Sequence, residues 1–450
     1  MNDSNTSTDR LSPPKIAPGP GDSSHMWDDP TAFFLEATHK YGDLVYFNTA
    51  SHPIFLLNHP DYIKHVLQDN YRNYRVAGDN LKLIIGDGLF VSEGNTWLQQ
   101  RRIMQPSFHR QRLAGMFPTM TNVVTTFLKH CEASNKQNSP IDILAEMTEL
   151  TTNLSAHTMF SIDVHQQASK LAHLIATSLE YANAYFGGAN GDVPSPEQLL
   201  FQKSLGELDQ LIYRLIHERR KTGKDEGDLL SMLLQAKDEE TGEGMTDKQL
   251  RDQIITMWIG GQTTTAIALM WTWYLLSTHS DVEAKFRMEL SNVLGNRPLG
   301  LDDLPKLAYG RMIIDEALRL YPPAWLTARR SVAEEKIGGY DIPANSEIYI
   351  SPYVTHRHLA FWNNPEHFDP ERFSPERSAG RKPFAYLPFG GGPRLCIGNN
   401  FALMAIQVIL TIHARSYHLS LEKNHPIKPK PQIILSPNSK ILMIRHKLIN

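Results

Sequence analysis

The stretch Phe384–Leu410, FAYLPFGGGPRLCIGNNFALMAIQVIL, decides how this chain folds. It holds Cys396, one of only two cysteines in 450 residues. Gly390, Gly391 and Gly392 free the backbone from Cβ clashes and let it approach a flat partner closely. Pro393 stiffens the turn, and Cys396 then stands just ahead of the apolar helical run NNFALMAIQVIL. Backbone N–H groups at a helix start favour an anion, so they would stabilise a thiolate there. A zinc site takes four N or S ligands, and no second Cys or close His pair accompanies this one. One axial thiolate is what a heme-thiolate iron takes. Read by itself, the loop also fits a buried structural cysteine.

The totals narrow the choices. Lys+Arg number 45 and Asp+Glu 48, a formal net charge of -3. That balance argues against a nucleic-acid binder, which carries a basic excess. With 41% hydrophobic and 21% charged residues the chain is an ordinary globular protein with a large core. Two cysteines make no disulfide framework, so a reducing, cytoplasmic setting is expected. No run reaches the roughly 18 apolar residues of a membrane span. The best candidate, AIALMWTWYLL at Ala266–Leu276, is too short. Residues 1–22 are polar and Pro/Gly-rich and read as a flexible arm, leaving residues 23–450 as one domain.

Along the chain, DDPTAFFLEATHKYG reads as a helix opened by Asp29 with Pro30 in its first turn. DLVYFNTASHPIFLLNH alternates as a hairpin does. From Gly94 helical periodicity dominates, beginning with GNTWLQQRRIMQPSFHRQRLAGMF read as helical. FGGANGDVPSPEQ, Phe186–Gln198, breaks two helical runs and reads as a lid-like loop with glycine hinges. Strand signals return at EEKIGGYDIPANSEIYISPYV and PQIILSPNSKILMIRH. The expected architecture is one unit, mainly α with small β-sheets.

FGGGPRLCIG, from Phe389, resembles the heme-binding signature of the cytochrome P-450 family: Phe, two residues, Gly, then Arg two before the Cys and Gly two after. The resemblance implies that Cys396 ligates heme b iron, that Phe389 packs beside the sulfur and that Arg394 pairs with a propionate. Glu316 and Arg319 in DEALRLYPPAW resemble the family's E-x-x-R helix, and Arg372 in FDPERF its third partner. Residues at i and i+3 share a helix face, so the first two can pair, and Arg372 would complete a charge-assisted network. Its implied role is to hold the heme loop. Trp97 and Arg101 in WLQQR match the W-x-x-x-R helix, and Arg329 in LTARRSV is a further propionate candidate. The resemblance covers nearly all the chain after the arm and implies a single-domain triangular-prism fold.

DQIITMWIGGQTTTAIALMWTWYLL aligns with the family's long central helix. Gly260 and Gly261 each cost about 1 kcal/mol against Ala in a helix, a cost that fits a helix bulging to seat oxygen. Thr264 takes the place of the oxygen-activating alcohol, while Thr263 stands where the family has an acid. Ala405, after the cysteine, occupies a place where Glu is common. The implied activity is heme-thiolate monooxygenation: one atom of O2 enters a lipophilic fatty acid, terpenoid, polyketide or peptide product. Electrons would come from a separate ferredoxin or flavodoxin and its reductase, drawn to Arg101, Arg102, Arg110, Arg112, Arg381, Lys382 and Arg394 if these share one face. Candidate pocket residues are Leu81, Phe90, Met257, Ala324, Trp325, Leu326 and Pro437. A monomer with no nucleic-acid partner is expected. Thr263 keeps peroxide use, coupling, dehydration or rearrangement open as alternative chemistry, and a heme-based sensor or ligand carrier as a non-enzyme reading.

Overall fold

The computed structural model describes residues 17–20, 23–49, 52–133, 139–161, 173–174, 176–178, 181, 196–422 and 427–448. Most of the arm and residues 186–195 of the expected lid lie outside them. Pro196–Gln198 open the helix Pro196–Thr222.

The helix Asp247–Thr278 runs through the middle of the fold. Thr246 and Gln249 close a capping box at its start, which satisfies two orphan N–H groups. From Leu250 to Leu276 it is buried on nearly every side, with the polar Arg251, Asp252, Gln253 and Gln262 buried alongside the apolar residues. It packs on the helices Ile143–Phe160, Ala308–Leu320 and Asn399–Ser416. A Cβ at Gly261 would sit 2.7 Å from Met159 Cε, so this glycine lets the Ile143–Phe160 helix approach. The expected bulge is absent: the backbone is continuous α-helix through Gly260 and Gly261. Close packing, not a break in the ladder, accounts for Gly261.

The expected first helix is Pro30–Tyr41, with the Asp29 side chain accepting from Ala32 N–H at 3.1 Å. The hairpin forms as Leu44–Phe47 against Ile54–Leu57. Ile54–Leu57 then runs parallel to Glu347–Ile350, which pairs antiparallel with Thr327–Ser331, and that strand with Tyr74–Val76. This five-stranded sheet fixes the register of Arg329, which lies opposite Ile348 on one side and Val76 on the other. The reading from Gly94 onward merged two helices. Gly94–Met104 ends in a short 3-10 turn at Gln105–Phe108, His109 is extended, and a new helix spans Arg110–Ala133. Pro106 explains the break, because it cannot donate to the helical ladder.

Glu316 and Arg319 are fully buried on the helix Ala308–Leu320. Arg319 Nε donates to Glu316 Oε2 at 2.6 Å and Nη2 to Oε1 at 2.9 Å. Arg372 Nε donates to the same Oε1 at 3.1 Å. His356, which the sequence reading did not single out, extends this network. Its Nε2 accepts from Leu387 N–H at 2.9 Å, so the other nitrogen, Nδ1, is protonated and donates to Arg319 O at 3.1 Å. The ring thus links the buried ion network to the segment leading into the cysteine loop.

Burial pushes the His356 imidazole down to about 3, and the charges of Arg319, Arg357 and Arg381 act the same way. An unfolded histidine takes up its proton near pH 6.5. The folded pKa is depressed, so the contribution is fully present above about pH 6.5 and is lost as pH falls toward about 3. The expected slope from this residue is about 1.4 kcal/mol per pH unit. Urea unfolding at pH 7 and 5 should show a smaller pH dependence in His356→Gln than in the wild type. Equal dependence in both proteins would remove His356 as the cause.

Candidate active site

The cysteine loop is built on glycines the backbone demands. Gly392 has φ +66°, and a Cβ there would lie 1.9 Å from Leu67 O. Gly390 has φ +72° with open space where its Cβ would point. Cys396 N–H donates to Phe389 O at 3.0 Å, closing the loop on its own phenylalanine, and Phe389 packs against the main core. Cys396 is exposed by area yet lies deep in the fold, so its sulfur opens onto an internal hollow. Burial pushes the thiol up, and the Gly398 N–H and the Arg101 charge oppose that shift. Helix-start stabilisation therefore does not win by itself, and deprotonation falls to a metal, which removes the proton of a coordinating thiol outright.

Four basic and aromatic side chains gather beside the loop. Arg101 Nη1 donates to Leu395 O at 2.9 Å, next to the cysteine. Trp97 is buried one helical turn earlier, and the Arg394 guanidinium lies 4.5 Å from its ring centroid. Arg394 is already engaged: Nη2 donates to Glu93 Oε2 at 2.6 Å and to Ser92 O at 2.9 Å. Among the described residues the Arg329 guanidinium donates to Thr327 Oγ1 at 3.1 Å and to Ala328 O at 2.9 Å. Burial pulls its pKa down to about 10, with the Arg394 charge adding to the effect. No ion pair with a carboxylate holds Arg329 among the described residues.

These features fit a heme. A lone thiol opens inward with no group of three or more His, Cys, Asp or Glu near enough to hold a metal among the described residues. Gly390 faces open space, whereas Gly391 and Gly392 let the loop pack on Phe384 and Leu67, and Arg329 is a desolvated cation that an acidic edge would neutralise. The other cysteine, Cys131, sits partly buried on the helix Arg110–Ala133, where burial pushes its thiol up to about 11. It is a packing residue.

Around the double glycine, Met257, Ile259, Gly260, Gly261, Thr263 and Thr264 are not fully buried, and of these Met257, Gly260 and Thr264 are spaced to share one face. Thr264 Oγ1 donates back to Gly260 O, and Thr263 Oγ1 donates to Gln262 Oε1 at 2.9 Å. Of the other pocket candidates, Leu81 packs against the main core, Ala324 and Phe90 are exposed, and Pro437 is half-buried. Trp325 belongs elsewhere: it is buried in a separate cluster, stacks on Phe34 and donates from Nε1 to Gln432 O at 2.6 Å. Leu326 packs on that same cluster. Ala405 is fully buried, filling helix contact rather than chemistry.

The basic residues expected on one docking face divide. Arg102 pairs with Asp238 and Glu240, Lys382 with Asp61, and Arg381 donates to Arg372 O. Arg110 and Arg112 are exposed, and no ion pair engages them among the described residues. Glu93 and His356 are contacts that the sequence reading missed.

A mainly helical fold that sets one inward-facing thiol beside half-buried arginines is the frame of a thiolate-ligated heme oxidoreductase. The family model for cytochrome P450 matches residues 19–445. Cyclooctatin synthase of Streptomyces melanosporofaciens is 36% identical over 90% of this chain and 88% of its own length. Cyclooctat-9-en-7-ol 5-monooxygenase of the same organism is 32% identical over 90% of this chain and 88% of its own. Pentalenene oxygenase of Streptomyces avermitilis is 29% identical over 88% of each chain. The crystal structure of the cytochrome P450DA heme domain superposes with TM-score 0.89 at 25% identity, covering 97% of this chain and 98% of that one. The chain belongs to the cytochrome P450 family. It is a monooxygenase-type oxidoreductase, and the family implies heme with a cysteine thiolate ligand. Family members need O2, a lipophilic substrate and an electron donor. No helix among the described residues is long and apolar enough to cross a membrane.

Proposed function

We propose that residues 23–450 form one heme domain that oxygenates a cyclic terpenoid, with heme b ligated by Cys396. The observation that carries the cofactor assignment is the accessible Cys396 in its glycine loop, with the Arg101 guanidinium held on the adjacent Leu395 carbonyl. Heme iron supplies the activation of O2 for insertion of one oxygen atom into the substrate. Cys396 holds the metal, Arg101, Arg329 and Arg394 face the acidic edge, and Trp97 backs Arg394. Glu316, Arg319 and Arg372 hold the loop's support in place.

Three relatives point to the substrate class. Their names give a cyclic alkenol and pentalenene as substrates of oxygenation, and cyclooctatin as a product. The face of the central helix that carries Met257, Gly260 and Thr264 holds no ionisable group, which suits a hydrocarbon skeleton over a charged one. Electrons come from a separate ferredoxin or flavodoxin with its reductase, and the exposed Arg110 and Arg112, in no ion pair among the described residues, are available to meet its acidic surface. A cytoplasmic location accompanies this reading.

Two spectra test it. The reduced protein under CO should show the band of thiolate-ligated heme, and Cys396→Ser should abolish that band while the wild type keeps it. A wild type that neither purifies with heme nor takes it up would sink the cofactor assignment. Cyclic terpenoid hydrocarbons and alcohols should shift the Soret band by displacing distal water, and fatty acids should not. A specific observation keeps one other reading in play: Thr263 stands where an acid would and bonds Gln262. Labelled O2 against labelled water in the product separates oxygen insertion from rearrangement.

A further inference from the structure

We propose that Glu93 is a positioning residue for the heme edge: it fixes the Arg394 guanidinium and offsets its charge. The proposal rests on the heme reading above. Glu93 is extended and immediately precedes the helix Gly94–Met104. Its Oε2 accepts from Arg394 Nη2 at 2.6 Å, and its Oε1 accepts from Val76 N–H at 2.6 Å. One carboxylate thus ties together the strand Tyr74–Val76, the start of that helix and the cysteine loop. Ser92 O and the Trp97 ring complete the enclosure of Arg394. Val76 is also the register partner of Arg329, so both edge arginines are placed through the strand that Glu93 holds.

Charge decides what this does. Arg101 acts on Cys396, Arg394 acts on Arg329, and Glu93 acts on both Arg329 and Arg394. Three arginines against one glutamate leave an excess that matches two ionised propionates. Without the Glu93 charge the excess grows by one beside the well-covered Arg394, where water screens less than at an open surface. Added positive charge beside a heme favours the reduced iron, because the ferrous state carries one positive charge fewer. The competing view is that Glu93 only staples a strand to a helix. Its loss would then change stability and nothing electronic.

Glu93→Gln separates the two. Glutamine keeps the size and can still accept from Val76 N–H, but it drops the charge. The ferric/ferrous midpoint of the heme-loaded protein, read by dye-equilibrated reductive titration, should move to a more positive potential. Glu93→Asp, which keeps the charge, should stay near the wild type. In an Arg394→Gln background the part of the shift that comes from the lost charge should remain, because the excess still grows by one, while the part that comes from placing Arg394 should vanish. Glu93→Ala provides a second route if the glutamine variant loads heme poorly. It should give the positive shift together with lower stability. A fall in stability with an unchanged midpoint overturns the proposal, as does a Glu93→Asp midpoint that moves as far as that of Glu93→Gln. Failure of the wild type to bind heme would instead sink the cofactor reading itself, and that outcome is visible before any variant is made.

Discussion

Glu316→Ala should lower stability by about 3–5 kcal/mol, because it strands two buried guanidiniums without their counter-charge. Arg319 is fully buried and Arg372 is 6% exposed, so water cannot take over from the missing carboxylate. Asp369 N–H also loses its acceptor, Glu316 Oε1, at 2.9 Å. Apolar replacement of a whole buried ion cluster is often neutral, which on its own would make joint removal of Glu316, Arg319 and Arg372 harmless. The backbone argues otherwise. The two arginines donate to the carbonyls of His356, Asn363, Asn364, Pro365 and His367. Each orphaned carbonyl costs about 1–3 kcal/mol, so the triple apolar variant should be no more stable than Glu316→Ala. Because His356 couples this network to Leu387, heme loading should fall along with stability. Urea unfolding midpoints and the heme-to-protein ratio check both claims. A Glu316→Ala protein with a wild-type midpoint and full heme content would remove the network from its supporting role.

The parts of this fold that were legible in the sequence are those fixed by spacing. Glu316 and Arg319 meet because i and i+3 share a helix face, and Gly390 and Gly392 mark a backbone with positive φ that favours glycine. Trp97 and Arg101 share a face for the same reason. The missed contacts join residues far apart in sequence through ordinary residue types. Glu93 reaches Arg394 across 301 positions, and His356 reaches Leu387 across 31. Nothing local distinguishes Glu93 from a solvated helix-cap glutamate. Trp325 misled for a related reason: its place after the E-x-x-R helix suggests the pocket, yet Gln432 O and Phe34 draw the ring into another cluster. The double glycine was visible, but its role was not. Whether Gly261 serves a bulge or close packing depends on Met159, about a hundred residues away.

Thr264→Ala should divert most of the electron flow from product into hydrogen peroxide while heme content stays at the wild-type level. The hydroxyl of Thr264 donates to Gly260 O, so its lone pairs remain free to accept on the open face of the helix. An acceptor there anchors an O–H from water or from the oxygen side and keeps a proton path ordered. Thr263 points its hydroxyl at Gln262 Oε1 instead, on a helix flank away from Met257, Gly260 and Thr264. It offers no ionisable proton, and Thr263→Ala should change coupling much less than Thr264→Ala. The missing acid makes the Thr264 anchor more important, since ordered water then carries the proton alone. Thr264→Ser keeps the hydroxyl and should retain most of the coupling, which separates the loss of a hydrogen bond from the loss of a methyl group. The measurement is NADPH consumed, product formed and peroxide released, with a surrogate reductase and a substrate that shifts the Soret band. Unchanged coupling in Thr264→Ala would show that proton delivery bypasses the central helix. Weight would then move to the rearrangement or peroxide-using chemistry that the Thr263 substitution leaves open.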